Sequence, residues 1–203
     1  MLNAVFCGSL DSFDIAVREF GVTPTTRVCV LATAAAFRGA EAAVEQIRDL
    51  LAASAAPVQA VAAINRASAD DASVVSAVAN ADLVVLVEGA PLHARSVWRH
   101  SALGEALATA ALLCVGSTGS VLGETMIDPR GGAPTTGLGL FAGVVVSVPA
   151  SAEQSQRTHG LVAKELLVEL GLRSVVAYDG RWRVVSGDDL LVTRAGVPAN
   201  LPD

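Results

Sequence analysis

A serine stands where an apolar run breaks into a turn. Residues Ala110-Ala111-Leu112-Leu113-Cys114-Val115 read as a buried strand and Gly116-Ser117-Thr118-Gly119 as a tight turn of small residues. Ser120-Val121-Leu122-Gly123-Glu124 can then start a helix. A serine at the tip of such a strand–turn–helix sits on a strained elbow. Its hydroxyl is exposed beside the N–H groups of the next helix, which suits attack on a carbonyl. The same pattern also serves an ordinary helix N-cap, where the hydroxyl only accepts from the backbone.

An attacking serine needs donors for the oxyanion and a base for its proton. Glu88-Gly89 ends another buried run, and the Gly89 N–H together with that of Thr118 would form an oxyanion hole; a tight turn that needs glycine explains Gly89 equally well. Asp128, in Met126-Ile127-Asp128-Pro129-Arg130-Gly131-Gly132, is a candidate acid, although aspartate before proline also initiates turns. Glu124 reads as a solvated or turn-binding residue. The base is the difficulty. His93 follows the Glu88-Gly89 turn, His100 falls at an expected helix end, and His159 lies well inside an expected helix. Each has a structural explanation.

Composition narrows the function classes. With a net charge of -6 and one lysine, Lys164, the chain offers no basic patch for nucleic acid. No apolar stretch reaches the roughly 18 uncharged residues of a membrane span. The first residues lack a cationic region before their apolar part, so they read as a strand rather than a signal peptide, and a cytoplasmic location is expected. Cys7, Cys29 and Cys114 are widely spaced and odd in number, which suits buried free thiols. No Cys/His cluster suggests a metal, and no cofactor is called for.

The 203 residues suit one domain spanning residues 1–203, built from alternating elements. Strands are expected at Leu2–Cys7, Arg27–Ala32, Pro57–Ile64, Asp82–Val87 and Val144–Val148. Helices are expected around Phe13–Phe20, Ala40–Ala53, Asp70–Asn80, Leu92–Trp98, Leu103–Ala110 and Gln154–Leu170. Arg173–Tyr178, Arg181–Val185 and Leu190–Thr193 read as a closing β-meander with a hairpin turn at Asp179-Gly180. The alternation predicts an α/β fold: a doubly wound, mostly parallel sheet with helices on both faces. The strand ends at Ala32-Thr33, Glu88-Gly89 and Gly116-Ser117 should then line one edge, where such sheets bind ligands.

In order along the chain, these segments resemble the peptidase S51 family, which includes alpha-aspartyl dipeptidase and cyanophycinase. The likeness is strongest to small actinobacterial members and covers nearly the whole chain. It rests on Val30 to Ala36 for a strand ending in a Pro-Thr-Ala type turn, Val87 to His93 for the Gly-Gly loop, and Val115 to Ser120 for the Ser-Ala-Gly-Ala elbow. Leu122 to Gly132 and Gly137-Leu138-Gly139-Leu140 follow in the family's order. The resemblance implies a class I glutamine-amidotransferase-like fold and Ser117 as nucleophile. It further implies Asp128 near the acidic triad position, Gly89 and Thr118 as oxyanion donors, and a small peptide or acidic isopeptide as substrate. It also exposes departures. The family's histidine follows a Val-Pro or Asn-Pro, whereas here Val148-Pro149 leads into Ala150. The first glycine of the oxyanion loop is Glu88, whose carboxylate would meet substrate and oppose charge on a tetrahedral intermediate. Thr118 and Ser120 replace alanines. His93 or His159 would have to substitute as base. Activity is therefore expected to be reduced or lost, the alternative being a non-catalytic small-molecule-binding or protein-interaction module. Amidotransferase chemistry would need a cysteine at the elbow, and Cys114 lies three residues back. A homodimer is compatible with the alanine-rich helices.

Overall fold

The structure, a computed structural model, describes residues 3–162 and 164–202. Its first half alternates as the apolar pattern predicts. The strands are β1 (Asn3–Cys7), β2 (Val28–Leu31), β3 (Val58–Val61), β4 (Leu83–Leu86) and β5 (Ala111–Val115). The helices between them are α1 (Phe13–Phe20), α2 (Ala40–Leu51), α3 (Arg66–Ala69), α4 (Ala72–Ala79), α5 (Pro91–Trp98) and α6 (Ala102–Leu107). After them come β6 (Thr125–Ile127), β7 (Pro134–Thr136), β8 (Val144–Ser147), α7 (Ala152–Leu161) and β9 (Leu166–Glu169). The chain closes with β10 (Val175–Tyr178), β11 (Trp182–Ser186), β12 (Leu191–Arg194) and β13 (Val197–Pro198). No helix among the described residues is long and apolar enough to cross a membrane.

Seven strands form the main sheet in the order β11-β10-β1-β5-β4-β2-β3. The five from β1 to β3 are parallel, and the β10–β11 hairpin joins β1 antiparallel. Because both faces are covered, the central strands are continuous apolar runs whose alternate residues enter different cores. Phe6, Leu86, Leu112 and Cys114 pack with Trp98, Leu103 and Leu107 on one face. Val5, Val85, Leu113 and Val115 pack with Phe13, Ile47 and Leu51 on the other. Helix ends carry the expected caps. Asp71 accepts from Ser73 N at the start of α4, and Ser101 accepts from Gly104 N at the start of α6.

At the sheet's rim, the guanidinium of Arg27 donates to both carboxylate oxygens of Asp82, and its backbone N–H donates to one of them. This bidentate pair ties the entrance of β2 to that of β4 and holds the Asp82 carboxyl down at about 2. A folded-state value below the unfolded one means the contribution is present above about pH 4 and lost as pH falls toward 2. The difference in denaturation midpoint between the wild type and Asp82→Asn should therefore shrink across that window. A difference that stays constant in an acid titration of both proteins would refute the assignment.

Two stretches of the C-terminal half differ from the sequence pattern. The helix expected over Gln154–Leu170 stops at Leu161, and Leu166–Glu169 is instead strand β9, parallel to β8. Leu166, Leu167 and Leu170 satisfy helical spacing, but the buried run Leu166-Leu167-Val168 also fits a strand, and pairing with β8 decides between the two. The three expected C-terminal strands all form, but they divide. Two make the hairpin on the main sheet, while β12 pairs with β9 in a second sheet ordered β13-β12-β9-β8.

Candidate active site

Parallel register aligns the carboxyl ends of the central strands. Leu31 of β2 pairs with Leu86 of β4, Leu86 with Cys114 of β5, and Val115 with Cys7 of β1. The turns leaving β1, β4 and β5 therefore share one edge, where they open into a cleft of about 640 Å³. Gly8, Ser9, Glu88, Gly89 and Ser117 line it from the main sheet, and Pro129, Arg130, Pro149, Ala150 and Gln154 from the second half of the chain. Arg38 reaches it from the segment after β2.

The turn after β5 is tighter than a strand–turn–helix, because residues Gly116–Leu122 form a 3-10 turn rather than an α-helix. The left-handed residue that reverses the chain is Gly116, with φ of 60°, which glycine adopts without steric cost, so Ser117 lies one position further and is not the left-handed residue. Ser117 is half-buried, and among the described residues its hydroxyl has no hydrogen-bond partner, while its carbonyl accepts from Ser120 Oγ at 2.8 Å. Thr118 is buried with its hydroxyl donating to Val87 O at 2.8 Å, which stitches the turn to the end of β4.

Glu88 and Gly89 bring the β4 turn against its neighbours. A Cβ on Gly116 would stand 2.5 Å from Glu88 Cδ and 2.6 Å from its Oε1, so the carboxyl group rests directly on the Gly116 backbone. Partial burial pushes the Glu88 carboxyl above the usual range, and the positive charge of Arg38 works against that shift. At Gly89 a Cβ would meet Ala34 O at 2.1 Å, and the following Ala90 N–H donates to the same carbonyl at 2.7 Å. Close backbone approach alone thus requires glycine there. Gly89→Ala is expected to cost about 1–3 kcal/mol, read as a lower midpoint in chemical denaturation. An unchanged midpoint would mean the loop yields without strain.

The other named residues stand apart from this centre. Asp128 organises its own turn: its carboxylate accepts from the backbone N–H, Nε and Nη2 of Arg130, and hydrogen bonds with Arg130 hold its proton affinity below the usual range. Its neighbours Pro129 and Arg130 line the cleft, but Asp128 itself does not. His93 does not line it either; Nε2 lies 2.9 Å from Ile64 O, and the ring meets Phe37 edge-on. His159 sits on α7 with Nε2 at 2.8 Å from Glu169 Oε2, an oxygen that also accepts from Ser155 Oγ at 2.6 Å. Among the described residues the second oxygen, Oε1, is buried without a partner.

Ala150, in contrast, is part of the cleft wall. Its N–H donates to Gln154 Oε1 at 2.7 Å, and Gln154 Nε2 donates onward to Pro129 O at 3.0 Å. Sequence reasoning passed over Arg38, Ser9 and Gln154, because nothing but tertiary folding brings these common polar types to one edge. The three cysteines are buried free thiols. Burial drives Cys7 up to about 12 and Cys29 to about 11, and Cys114 likewise upward, so all three stay protonated. No cluster of three or more His, Cys, Asp or Glu among the described residues is placed to hold a metal ion.

Neither protein-family models nor curated proteins match this chain. Solved structures do. A peptidase from an acI-B1 Actinobacterium superimposes with a TM-score of 0.71 at 17% identity, over 98% of this chain and 96% of that one. A protein assigned as peptidase E from Listeria monocytogenes EGD-e gives a TM-score of 0.64 at 12% identity, over 96% of this chain and 98% of that one. Across nearly its whole length, the chain has the fold of these peptidases.

Proposed function

We propose that this protein is a serine-hydrolase homologue of the peptidase S51 type in which Ser117 keeps the nucleophile position and histidine-driven peptidase activity is reduced or lost. One observation carries the reading. Ser117 and Ala150 line the same cleft, and no histidine is among its lining residues. A serine hydroxyl without a base is a poor nucleophile at neutral pH. Removing one member of a serine triad lowers catalysis by orders of magnitude, leaving what binding and oxyanion donors supply.

The occupants proposed for the cleft follow its chemistry: a small peptide or acidic isopeptide, whose carboxylates would meet Arg38 and Arg130. Hydrolysis of an α-aspartyl dipeptide by the purified protein is expected to fall at least ~10³-fold below that of a histidine-bearing enzyme of this fold. Comparable turnover, sensitive to His93→Gln or His159→Gln, would sink the proposal. A non-catalytic binding module on the same fold draws support from Glu88, which replaces a small oxyanion-loop residue with a carboxylate. Ligand binding without any Ser117-dependent chemistry would favour that second reading.

A further inference from the structure

We propose that Glu88 is the general base of this cleft, taking the Ser117 proton where a histidine is lacking, and that the substrates it suits are small esters. This deepens the serine-hydrolase reading above and rests on Ser117 as nucleophile. The ionisable residues that line the cleft are Arg38, Glu88 and Arg130. A guanidinium stays protonated and takes no proton from a hydroxyl. Glu88 is thus the one lining side chain able to accept one.

Its placement fits the task. The Glu88 carboxyl lies against the backbone of Gly116, the residue bonded to Ser117, and a side chain at position 116 would displace it. The Ser117 hydroxyl has no hydrogen-bond partner among the described residues, Glu88 included, so proton transfer requires it to turn toward the carboxylate as substrate enters. Partial desolvation raises the proton affinity of Glu88, although the residue keeps an exposed surface; this strengthens it as a base, and Arg38 opposes the shift.

The charge objection to a glutamate beside an oxyanion dissolves on this assignment. As Ser117 Oγ bonds to the ester carbon, its proton passes to Glu88, and the carbonyl π electrons move onto oxygen. The negative charge leaves the carboxylate as it appears on the oxyanion, so two anions never coexist. The tetrahedral intermediate then collapses, the C–O bond to the alcohol breaks, and Glu88 returns its proton to the leaving oxygen. Water repeats the sequence: Glu88 takes its proton, its oxygen bonds to the acyl carbon, and Ser117 Oγ departs with the proton. A carboxylate is a weaker base than imidazole, so the more electrophilic ester carbonyl is favoured over an amide.

The test is hydrolysis of p-nitrophenyl acetate, and labelling by a fluorophosphonate, from about pH 4 to pH 9. Ser117→Ala should abolish both. Glu88→Gln, nearly isosteric, should lower both ~10²-fold or more and remove the acid limb of the wild-type profile. That limb should have its midpoint above 4.5, the ordinary glutamate value. Glu88→Asp, which keeps the charge but withdraws the carboxyl, should lose ~10-fold or more and still show an acid limb; it serves where Glu88→Gln does not fold. Wild-type rates in Glu88→Gln, or in Glu88→Asp where that variant alone folds, would overturn the assignment. So would modification that survives Ser117→Ala, or a folded wild type with no Ser117-dependent reaction. That last outcome leaves the reading of lost activity standing, whereas histidine-dependent dipeptide turnover would refute that reading instead.

Discussion

Histidine introduced at Ala150 is expected to raise Ser117-dependent hydrolysis of an α-aspartyl dipeptide by ~10²–10⁴-fold, the usual contribution of a positioned general base. Ala150 lies in the wall of the cleft that holds Ser117, and its side-chain direction is a single methyl that an imidazole would extend. Its backbone is already anchored, with the N–H held by Gln154 and Gln154 held by Pro129 O. The new ring therefore grows from a fixed point rather than from a loose loop. Combining Ala150→His with Glu88→Gly tests the pair of departures together. On the assignment of Glu88 as base, Glu88→Gly alone lowers ester turnover, and in the Ala150→His background it is tolerated. Steady-state kinetics on the four proteins separates these outcomes. No gain from the double change in a folded protein would undermine the placement of the missing histidine.

The second large effect concerns stability. Phe6→Ala should cost ~3–5 kcal/mol and lower the thermal midpoint by about 6–20 °C. Phe6 is fully buried on β1, with its ring 5.5 Å from those of both Phe141 and Trp182. Phe141 meets Tyr178 edge-on at 5.1 Å, and Trp182 lies 5.2 Å from the same tyrosine. The ring set thus joins the central sheet to the β10–β11 hairpin and to the segment before β8. Truncation leaves a cavity that three other rings cannot collapse to fill. Calorimetry of the variant decides it: a midpoint within about 2 °C of wild type would show that the site repacks. Cleft chemistry at Ser117 should be less affected than stability, since Phe6 faces the core.

Much of the scaffold was legible in the sequence. Leu83–Val87 and Ala110–Val115 are unbroken apolar runs ending in glycine-containing turns, and a strand buried on both faces demands that composition. The helix expected over Ala40–Ala53 from apolar residues at helical spacing forms as Ala40–Leu51, and Val44, Ile47 and Leu51 are its buried side. Leu166–Glu169 was not legible, because a short apolar run satisfies both periods and only its partner β8 settles the matter. The candidate site divided in the same way. Ser117, Glu88, Gly89 and the alanine at 150 could all be named from motif order. The association of His159 with Glu169 could not, since the helical pattern over Gln154–Leu170 puts both residues on one helix.

The amino-acid sequence by itself determined the alternation of strands and helices, the serine at the turn after β5, and the alanine that follows Val148-Pro149. Those are properties of local pattern, and local pattern follows from burial and backbone preference. The tertiary structure decided what surrounds the serine. It put the left-handed residue of the turn at Gly116, laid the Glu88 carboxyl on that glycine, and left His93 and His159 outside the cleft lining. Such contacts depend on parallel register between strands distant in the chain, and no spacing along one strand encodes the distance to another.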